Sequence, residues 1–312
     1  MPLDPLAQAY LDTLAASPRP KPWDIPITEF REGFRTLTRT FGPKDVPVGK
    51  IANLVMQVED RDIPLRLYTP VAAGGEALPV LVYFHGGAFV AGDLETHDAA
   101  CRILAAESGL RVVAVDYRLA PEHRFPSAVE DAHAAVCWIE ENAPTLGIDP
   151  NRIAVGGDSA GGNLAAVVCQ MAKEQDGPHI AFQLLQYPVT QFGESFTSTR
   201  TYAEGYGLDK DVLDWCYDKY LPLGADLTDV RLSPLGAAEL RGLPPAYVML
   251  AECDMLHDEG LAYAERLRAA QVPVTVADYP GLIHGFTLLQ SVLPQAHEAL
   301  TKAAKALREA VK

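Results

Sequence analysis

Basic residues and long apolar runs are both scarce in this sequence. Its 312 residues include 26 Lys and Arg against 41 Asp and Glu, which gives a formal net charge of −15. Because nucleic acids and anionic membrane surfaces bind clustered basic residues, this balance argues against both as partners. Clearly apolar runs, such as residues 78–84, fall far short of the roughly 20 residues that span a bilayer. We therefore expect a protein that binds neither nucleic acid nor membrane.

The cysteines form no recognisable framework. There are five of them, widely spaced and without a C-x-x-C pair, namely Cys101, Cys137, Cys169, Cys216 and Cys253. Such spacing is typical of small buried thiols in a reducing compartment, not of disulfides or zinc ligands. The first residues also lack the basic start and unbroken apolar stretch of a signal peptide. We therefore expect a cytoplasmic protein.

Motifs for metal and nucleotide chemistry are missing as well. The sequence contains no H-E-x-x-H, no EF-hand calcium loop and no phosphate-binding G-x-x-x-x-G-K-S/T. Each of these motifs supplies ligands at a fixed spacing, so their absence leaves no recognisable metal or nucleotide site. We expect neither a metal nor another cofactor.

Strand-like and helix-like segments alternate through most of the chain, which indicates a parallel α/β architecture. Short β-branched and aromatic runs predict six central strands, at residues 80–84, 111–117, 152–156, 182–187, 246–251 and 274–279. Apolar positions at spacings of three and four predict the helices between and after them. These helices are expected at residues 101–108, 129–142, 163–173, 256–270 and 295–311.

Two regions interrupt this alternation, residues 1–50 and 191–234. Neither has enough apolar periodicity to form a domain of its own. We therefore expect them to form one helical cap over the end of the sheet. The catalytic domain would then comprise residues 51–190 and 235–312.

The cap regions contain three helical patterns, at residues 4–16, 28–41 and 212–220. Between the first cap region and the first central strand, residues 51–69 are typical of an antiparallel strand pair. Its turn is expected near residues 60–62, where charged residues interrupt the strand pattern.

Ser159 is the candidate nucleophile. It is the central residue of G-D-S-A-G at 157–161, the only G-x-S-x-G in the sequence. The motif follows the predicted strand 152–156 and begins a predicted helix, the setting in which a serine is held on a sharp, strained turn with its hydroxyl exposed. Glycines at both ends let that turn pack closely against its neighbours.

A candidate oxyanion hole follows the predicted strand at residues 80–84, where the sequence continues H-G-G-A. Acyl transfer places negative charge on a carbonyl oxygen, and backbone N–H groups directed at that point stabilise it. We expect the loop of Gly86, Gly87 and Ala88 to supply such groups. The N–H of Ala160, directly after the nucleophile, is expected to be the remaining donor.

A serine hydroxyl needs a base to accept its proton. The sequence after the serine has four histidines, His179, His257, His284 and His297. Only His284 is predicted in a loop just past a strand end, where active sites of open α/β sheets gather. We therefore predict His284 as the general base.

The acid that orients the histidine is expected after another strand. Asp254 follows the strand predicted at 246–251, and Asp258 and Glu252 are the lesser candidates. With Asp254, the chain order is serine, acid, histidine, as in α/β-hydrolases.

These motifs, taken together, resemble the hormone-sensitive-lipase-like family of α/β-hydrolase carboxylesterases over nearly the whole chain. The resemblance also rests on D-Y-R-L-A-P-E-H-R-F-P at 116–126, G-L-P-P at 242–245 and H-G-F at 284–286, and D-L-E-T-H-D at 93–98 resembles the bacterial members. It implies a mostly parallel, eight-stranded sheet flanked by helices, with a helical cap. It also implies that the oxyanion donors are the N–H groups of Gly87, Ala88 and Ala160.

Two positions depart from the family pattern. Ala88 stands where the family usually has a third glycine, and Met255 stands where the family usually has proline after the catalytic aspartate. Because only a backbone N–H is needed at position 88, we expect both changes to tune the site without abolishing it.

The resemblance implies a serine carboxylesterase acting on small to medium acyl esters, with a small-molecule ester substrate. An amidase or a deacetylase using the same triad is the enzymatic alternative. A non-catalytic binder, as in the plant gibberellin receptors that lack the histidine, is the alternative from another class. A homodimer through the edge strand and the terminal helix is possible.

Two further groups of residues have interpretations of their own. The charged residues Arg118, Glu122 and His123 are expected to form a structural ion-pair network. The aromatic residues of the cap regions would line an acyl pocket or form the core of the cap, and these are Trp23, Phe34, Tyr202, Tyr206 and Trp215.

Overall fold

The strand-like runs form one eight-stranded sheet in a computed structural model, which describes residues 2–17, 20–43, 45–58 and 61–312. Within those residues the strands are β1 Lys50–Val58, β2 Arg61–Thr69, β3 Leu78–Phe84, β4 Arg111–Val115, β5 Ile148–Asp158, β6 Ile180–Gln186, β7 Ala246–Cys253 and β8 Val274–Ile283. Their order from edge to edge is β1-β2-β4-β3-β5-β6-β7-β8. The pairs β1–β2 and β2–β4 are antiparallel, and the six strands from β4 to β8 are parallel. The predicted mostly parallel, eight-stranded sheet is confirmed.

Helices cover both faces of the sheet. In the described residues they are α1 Pro5–Ala16, α2 Ile27–Phe41, α3 Asp98–Ser108, α4 Ser127–Glu141, α5 Ala143–Leu146, α6 Ala160–Glu174, α7 Thr197–Thr201, α8 Lys210–Tyr220, α9 His257–Ala269 and α10 Pro294–Ala310. The side chains of β3 alternate between the faces: Val80 and Val82 pack in the core under α4, α6 and α9, whereas Leu81 and Tyr83 pack in the core under α3 and α10. Burial on both faces explains why β3 is an unbroken apolar run.

Several element ends differ from the predictions. The strand predicted at 111–117 ends at Val115, and Tyr117 beyond it donates from its hydroxyl to the carbonyl of His85 at 2.6 Å. The predicted turn at 60–62 falls partly on Asp60, which lies outside the described residues, while Arg61 already belongs to β2. The apolar pattern of a strand does not show where the chain leaves the sheet so that a side chain can make a tertiary hydrogen bond.

The two predicted cap regions contact each other. The rings of Phe30 on α2 and Trp215 on α8 meet edge to face at 5.4 Å between centroids. Lys21 and Asp211 form an ion pair at 2.8 Å. These contacts bring the chain start and the mid-chain insertion together, although the predicted boundaries of a separate cap domain stay a prediction.

Ion pairs connect β2, α2 and α4 to the loop after β4. The side chain of Asp131 is fully buried and pairs with Arg118 at 2.8 Å and with Arg61 at 2.9 Å. Glu122 pairs with Arg31 of α2 at 2.6 Å. Arg118 and Glu122 therefore make separate structural ion pairs, whereas His123, predicted to belong to the same network, takes part in neither of them.

The cysteines and helices agree with the composition. All five thiols are free, and four of them are buried. Across the described ranges, none of the helices combines the length and the apolarity that crossing a bilayer requires.

Replacing Asp131 by Asn should lower the free energy of unfolding by about 3 kcal/mol, because two partly buried guanidinium groups lose the buried charge of Asp131. Urea unfolding followed by circular dichroism measures this loss. The matched control is Glu130→Ala, since the Glu130 side chain is 53% exposed and lies 3.4 Å from Arg118. That change should stay within about 0.5 kcal/mol. Equal losses in the two variants would contradict the assignment.

Candidate active site

Ser159 lies on the turn between β5 and α6, with φ 55° and ψ −117°. A positive φ in a residue other than glycine is strained and persists only where the surroundings enforce it. Here the Ser159 N–H donates to the carbonyl of Gln186 at 2.8 Å, and its own carbonyl accepts from the Asn163 N–H at 3.1 Å. These backbone bonds fix the hydroxyl at the end of the sheet.

The two glycines of the motif allow the turn to approach β3. A Cβ at either Gly157 or Gly161 would overlap the carbonyl oxygen of Phe84, the last residue of β3. Only glycine lets α6 start this close to the neighbouring strand. The same strand continues into the H-G-G-A loop, so the close approach brings that loop beside Ser159.

The three predicted triad residues lie in hydrogen-bond contact. His284 Nε2 is 2.9 Å from Ser159 Oγ, and His284 Nδ1 is 2.7 Å from Asp254 Oδ2. Because a carboxylate can only accept, His284 donates from Nδ1 and its Nε2 accepts from the serine hydroxyl. This tautomer is the one that can take a proton from Ser159.

The chain places Asp254 directly after β7 and His284 directly after β8. Asp254 is 1% exposed, and its Oδ1 accepts from the Leu256 N–H at 2.9 Å. The alternative acids are engaged elsewhere: Glu252 accepts from the Gly281 N–H at 2.8 Å, and Asp258 accepts from the Ser198 N–H at 2.9 Å. Asp254 is thus the carboxylate that contacts the histidine.

Another candidate histidine has a structural environment. His257 lies between Asp278 and Asp258, with 3.1 Å to each carboxylate. The hydrogen bond to Asp278, followed by the one to Asp258, outweighs partial burial and raises the pKa of His257 to about 9. A histidine that stays protonated at neutral pH cannot serve as a base there.

The structure of the loop at residues 86–88 excludes one of the predicted oxyanion donors. The Gly86 N–H donates to Asp158 Oδ1 at 3.0 Å, which removes it from the predicted donors. Gly87 and Ala88 line the cavity in front of Ser159, with φ 122° and 53°. Within the described part of the chain, their N–H groups donate to no other atom. The Ala160 N–H belongs to the first turn of α6, where backbone donors have no partner inside the helix.

Asp158 is a buried carboxylate that connects the loop to the turn. Its Oδ1 accepts from the Tyr83 hydroxyl at 2.7 Å and from Gly86, and its Oδ2 lies 3.2 Å from His97 Nε2. Burial raises the pKa of Asp158, but the charge and hydrogen bond of His97 outweigh it, so the pKa lies below its usual range. The carboxylate is therefore ionised at neutral pH and accepts from all three groups.

His85 holds the other side of the same loop. Its ring stacks on Tyr117 with centroids 4.2 Å apart, and its Nδ1 lies 2.8 Å from the Gly86 carbonyl. Complete burial, followed by the charge of His97, lowers the pKa of His85 to about 4. The neutral ring donates from Nδ1, so both the N–H and the carbonyl of Gly86 are fixed.

A cavity of about 680 Å³ opens in front of Ser159 and His284. Side chains from α1, α2, α8, the loop before α8 and the segment between β8 and α10 form its mostly apolar wall, including Leu14, Phe30, Phe34, Leu208, Leu213 and Leu289. Phe34 is therefore a pocket residue. The other four aromatic residues named from the sequence do not line this cavity: Trp215 packs on Phe30, Tyr202 on Tyr206, and Trp23 is 47% exposed.

Comparisons with known proteins agree with this geometry. A family profile described as alpha/beta hydrolase fold matches residues 81–288. The carboxylesterase NlhH of Mycobacterium tuberculosis is 45% identical over 254 residues, covering 80% of this chain and 79% of the relative. The ethyl acetate hydrolase of Pseudomonas putida is 41% identical over 265 residues, covering 83% and 82%.

A solved structure extends the similarity over the whole fold. An ester hydrolase from the metagenome of Lake Arreo, complexed with a derivative of bipyridine phosphonate, superposes with a TM-score of 0.96 at 42% identity and covers 98% of both chains. The chain belongs to the α/β-hydrolase family. It is a carboxylic ester hydrolase of the hormone-sensitive-lipase-like type, as its motifs indicated.

Sequence reasoning selected three residues that the structure brings into contact, Ser159, Asp254 and His284, but missed the residues that hold the candidate oxyanion loop. Asp158 stands inside the serine motif, where an ionisable side chain between a glycine and the nucleophile was a usable signal. His97 stands in D-L-E-T-H-D, and nothing in its spacing indicates contact with Asp158. No group of three or more metal-ligating side chains occurs in the described ranges.

In this α/β-hydrolase, Asp158→Asn should lower kcat/KM for a short-chain ester by about tenfold to a hundredfold. A neutral amide cannot accept from three donors with the same strength, so the oxyanion loop loses its fixed position. Steady-state hydrolysis of p-nitrophenyl acetate measures the change.

Asp149→Asn is the matched control, since Asp149 lies on the same strand and pairs with Arg152 at its far end. It should leave kcat/KM within about twofold of the wild type, because substitutions near the protein surface have small effects. A folded Asp158→Asn variant with unchanged kcat/KM would contradict the role given to Asp158.

Proposed function

We propose that this ester hydrolase acts on small to medium acyl esters through an acyl-enzyme on Ser159. The observation that carries the proposal is the hydrogen-bonded line from Asp254 through His284 to Ser159, at 2.7 Å and 2.9 Å, at the base of an apolar cavity. A nucleophile, its base and an orienting acid in contact are what acyl transfer requires.

In the acylation step, Ser159 Oγ forms a bond to the ester carbonyl carbon. His284 Nε2 takes the hydroxyl proton, and Asp254 stabilises the resulting imidazolium. His284 then returns that proton to the alcohol oxygen as its bond to the carbonyl carbon breaks. The alcohol leaves, and the acyl group remains on Ser159.

Deacylation repeats the chemistry with water. His284 takes a proton from the water while the water oxygen attacks the acyl carbon. The histidine then protonates Ser159 Oγ as the bond between this oxygen and the acyl carbon breaks. The carboxylic acid leaves and the triad returns to its starting state.

Negative charge on the carbonyl oxygen develops in both steps. The N–H groups of Gly87, Ala88 and Ala160 are the proposed donors, while Gly86 stays bound to Asp158. Preorganised backbone donors stabilise an oxyanion without reorganising during the reaction. The two hydrogen bonds on Gly86 support such preorganisation.

The cavity supports the substrate class. Its volume of about 680 Å³ lies within the range of small-molecule sites. The lining side chains Leu208 and Leu213 favour an apolar acyl group, and the methyl group of Ala88 takes up space beside Ser159. A cytoplasmic location and a homodimer through the edge strand and terminal helix stay predictions.

Across p-nitrophenyl esters from acetate to palmitate, we expect the highest kcat/KM with short or medium acyl chains, because the cavity of about 680 Å³ limits the length of the acyl chain that it can hold. Ser159→Ala should lower kcat by about 10⁴-fold or more, since no other group can form the acyl-enzyme. The absorbance of the released p-nitrophenol at roughly 405 nm measures both results.

Ser195→Ala is the matched control, because Ser195 is an exposed serine whose hydroxyl contacts Arg200. Full turnover by Ser159→Ala would show that the mechanism is wrong. If no ester is hydrolysed but a fluorophosphonate still labels Ser159, the result favours the amidase or deacetylase alternative. Loss of both would favour a binder.

A further inference from the structure

The catalytic acid occupies the first position of a tight turn formed by residues 254–257. The His257 N–H donates to the Asp254 carbonyl at 3.1 Å, and Leu256 has φ −89° and ψ 0°. These values match the third residue of a type I turn. Because Asp254 Oδ1 also accepts from the Leu256 N–H, the conformation of the turn sets the direction of Oδ2 toward His284.

Ser198 contacts both sides of this turn from the mid-chain insertion. It lies on α7 and is 2% exposed. Its hydroxyl donates to the Met255 carbonyl at 2.9 Å and accepts from the Asp258 N–H at 3.2 Å. Its own N–H donates to Asp258 Oδ2 at 2.9 Å. Three hydrogen bonds of one buried residue thus connect α7 to Met255 and Asp258, on the turn that carries the catalytic acid and just beyond it.

The turn itself has little internal restraint at its second position. Proline is favoured there because its ring fixes φ near the required value, whereas Met255 leaves φ free. The Met255 N–H donates no hydrogen bond to any described residue. The Met255 side chain is buried in the core, and the hydrogen-bond restraint on this peptide comes from its carbonyl, which accepts from Ser198 at 2.9 Å and lies 3.4 Å from the Thr199 hydroxyl.

We propose that Ser198 is a positioning residue that holds the turn at 254–257 and thereby directs Asp254 at His284. The inference rests on the proposed function of Asp254. The mid-chain insertion then has two roles: α8 lines the cavity, and α7 supports the triad from behind.

This role has a distinct kinetic signature. Neither Ser198 nor Met255 lines the cavity, so loss of the support should leave substrate binding in place. Misdirection of Asp254 weakens the stabilisation of the imidazolium, which forms only during the reaction. We therefore expect a fall in kcat with little change in KM.

The test is a double-mutant cycle of Ser198→Ala and Met255→Pro. Ser198→Ala alone should lower kcat by about tenfold to a hundredfold with KM changed less than about twofold. In the Met255→Pro background the same change should cost less than about threefold, because proline supplies the restraint that Ser198 gave. Each kcat is measured with p-nitrophenyl acetate well below the melting temperature of that variant.

Thr201→Ala is the matched control, because Thr201 lies on α7 and its exposed hydroxyl donates to Thr197 within the helix. It should keep the kcat of the wild type. An unchanged kcat in Ser198→Ala would overturn the proposal. So would an equal loss of kcat in both backgrounds, since proline would then not replace the support.

A failure of the proposed function is separable from a failure of this inference. If the wild type hydrolyses no ester, the proposed function fails, and the rate of fluorophosphonate labelling of Ser159 replaces kcat in the cycle. Labelling needs an activated serine but no particular ester. A slower rate in Ser198→Ala that Met255→Pro restores would support the inference, and an unchanged rate would overturn it.

Discussion

The close approach of two neighbouring strand ends governs this active site. β3 and β5 pair in parallel up to Phe84 and Gly157, and only the glycines of the serine motif let α6 begin against the Phe84 carbonyl. That contact puts Ser159, the proposed nucleophile, beside the loop that carries the proposed oxyanion donors. A side chain at Gly161 would overlap the Phe84 carbonyl and push the two apart.

Buried carboxylates fix the two halves of the site, and each has a histidine partner. Asp254 accepts from His284, the proposed base, and Asp158 with His97 holds the loop through Gly86. The ionised carboxylate of Asp158 is stable in its buried position only because donors surround it. The hydrogen bonds that stabilise these buried carboxylates also hold the histidine and the loop in fixed positions. Acyl transfer depends on such preorganised groups more than on tight binding of the substrate.

The sequence allowed prediction of what depends on local patterns. The parallel sheet follows from apolar runs such as residues 80–84, and Ser159, Asp254 and His284 follow from their places after strands. The contacts of Asp158 with His97 and of Ser198 with Met255 join residues 61 and 57 positions apart. No local spacing encodes such contacts, because they arise only when the sheet and the insertion are packed. For the same reason the sequence assigned Gly86 as a donor although Asp158 already binds it.

The most direct test of this account is a crystal structure of the enzyme inactivated by an alkyl phosphonate. The account predicts a covalent bond to Ser159 Oγ, with the phosphonyl oxygen about 2.7–3.1 Å from the N–H groups of Gly87, Ala88 and Ala160. The Gly86 N–H should remain on Asp158. A phosphonyl oxygen directed away from these three donors, or an adduct on another side chain, would contradict it.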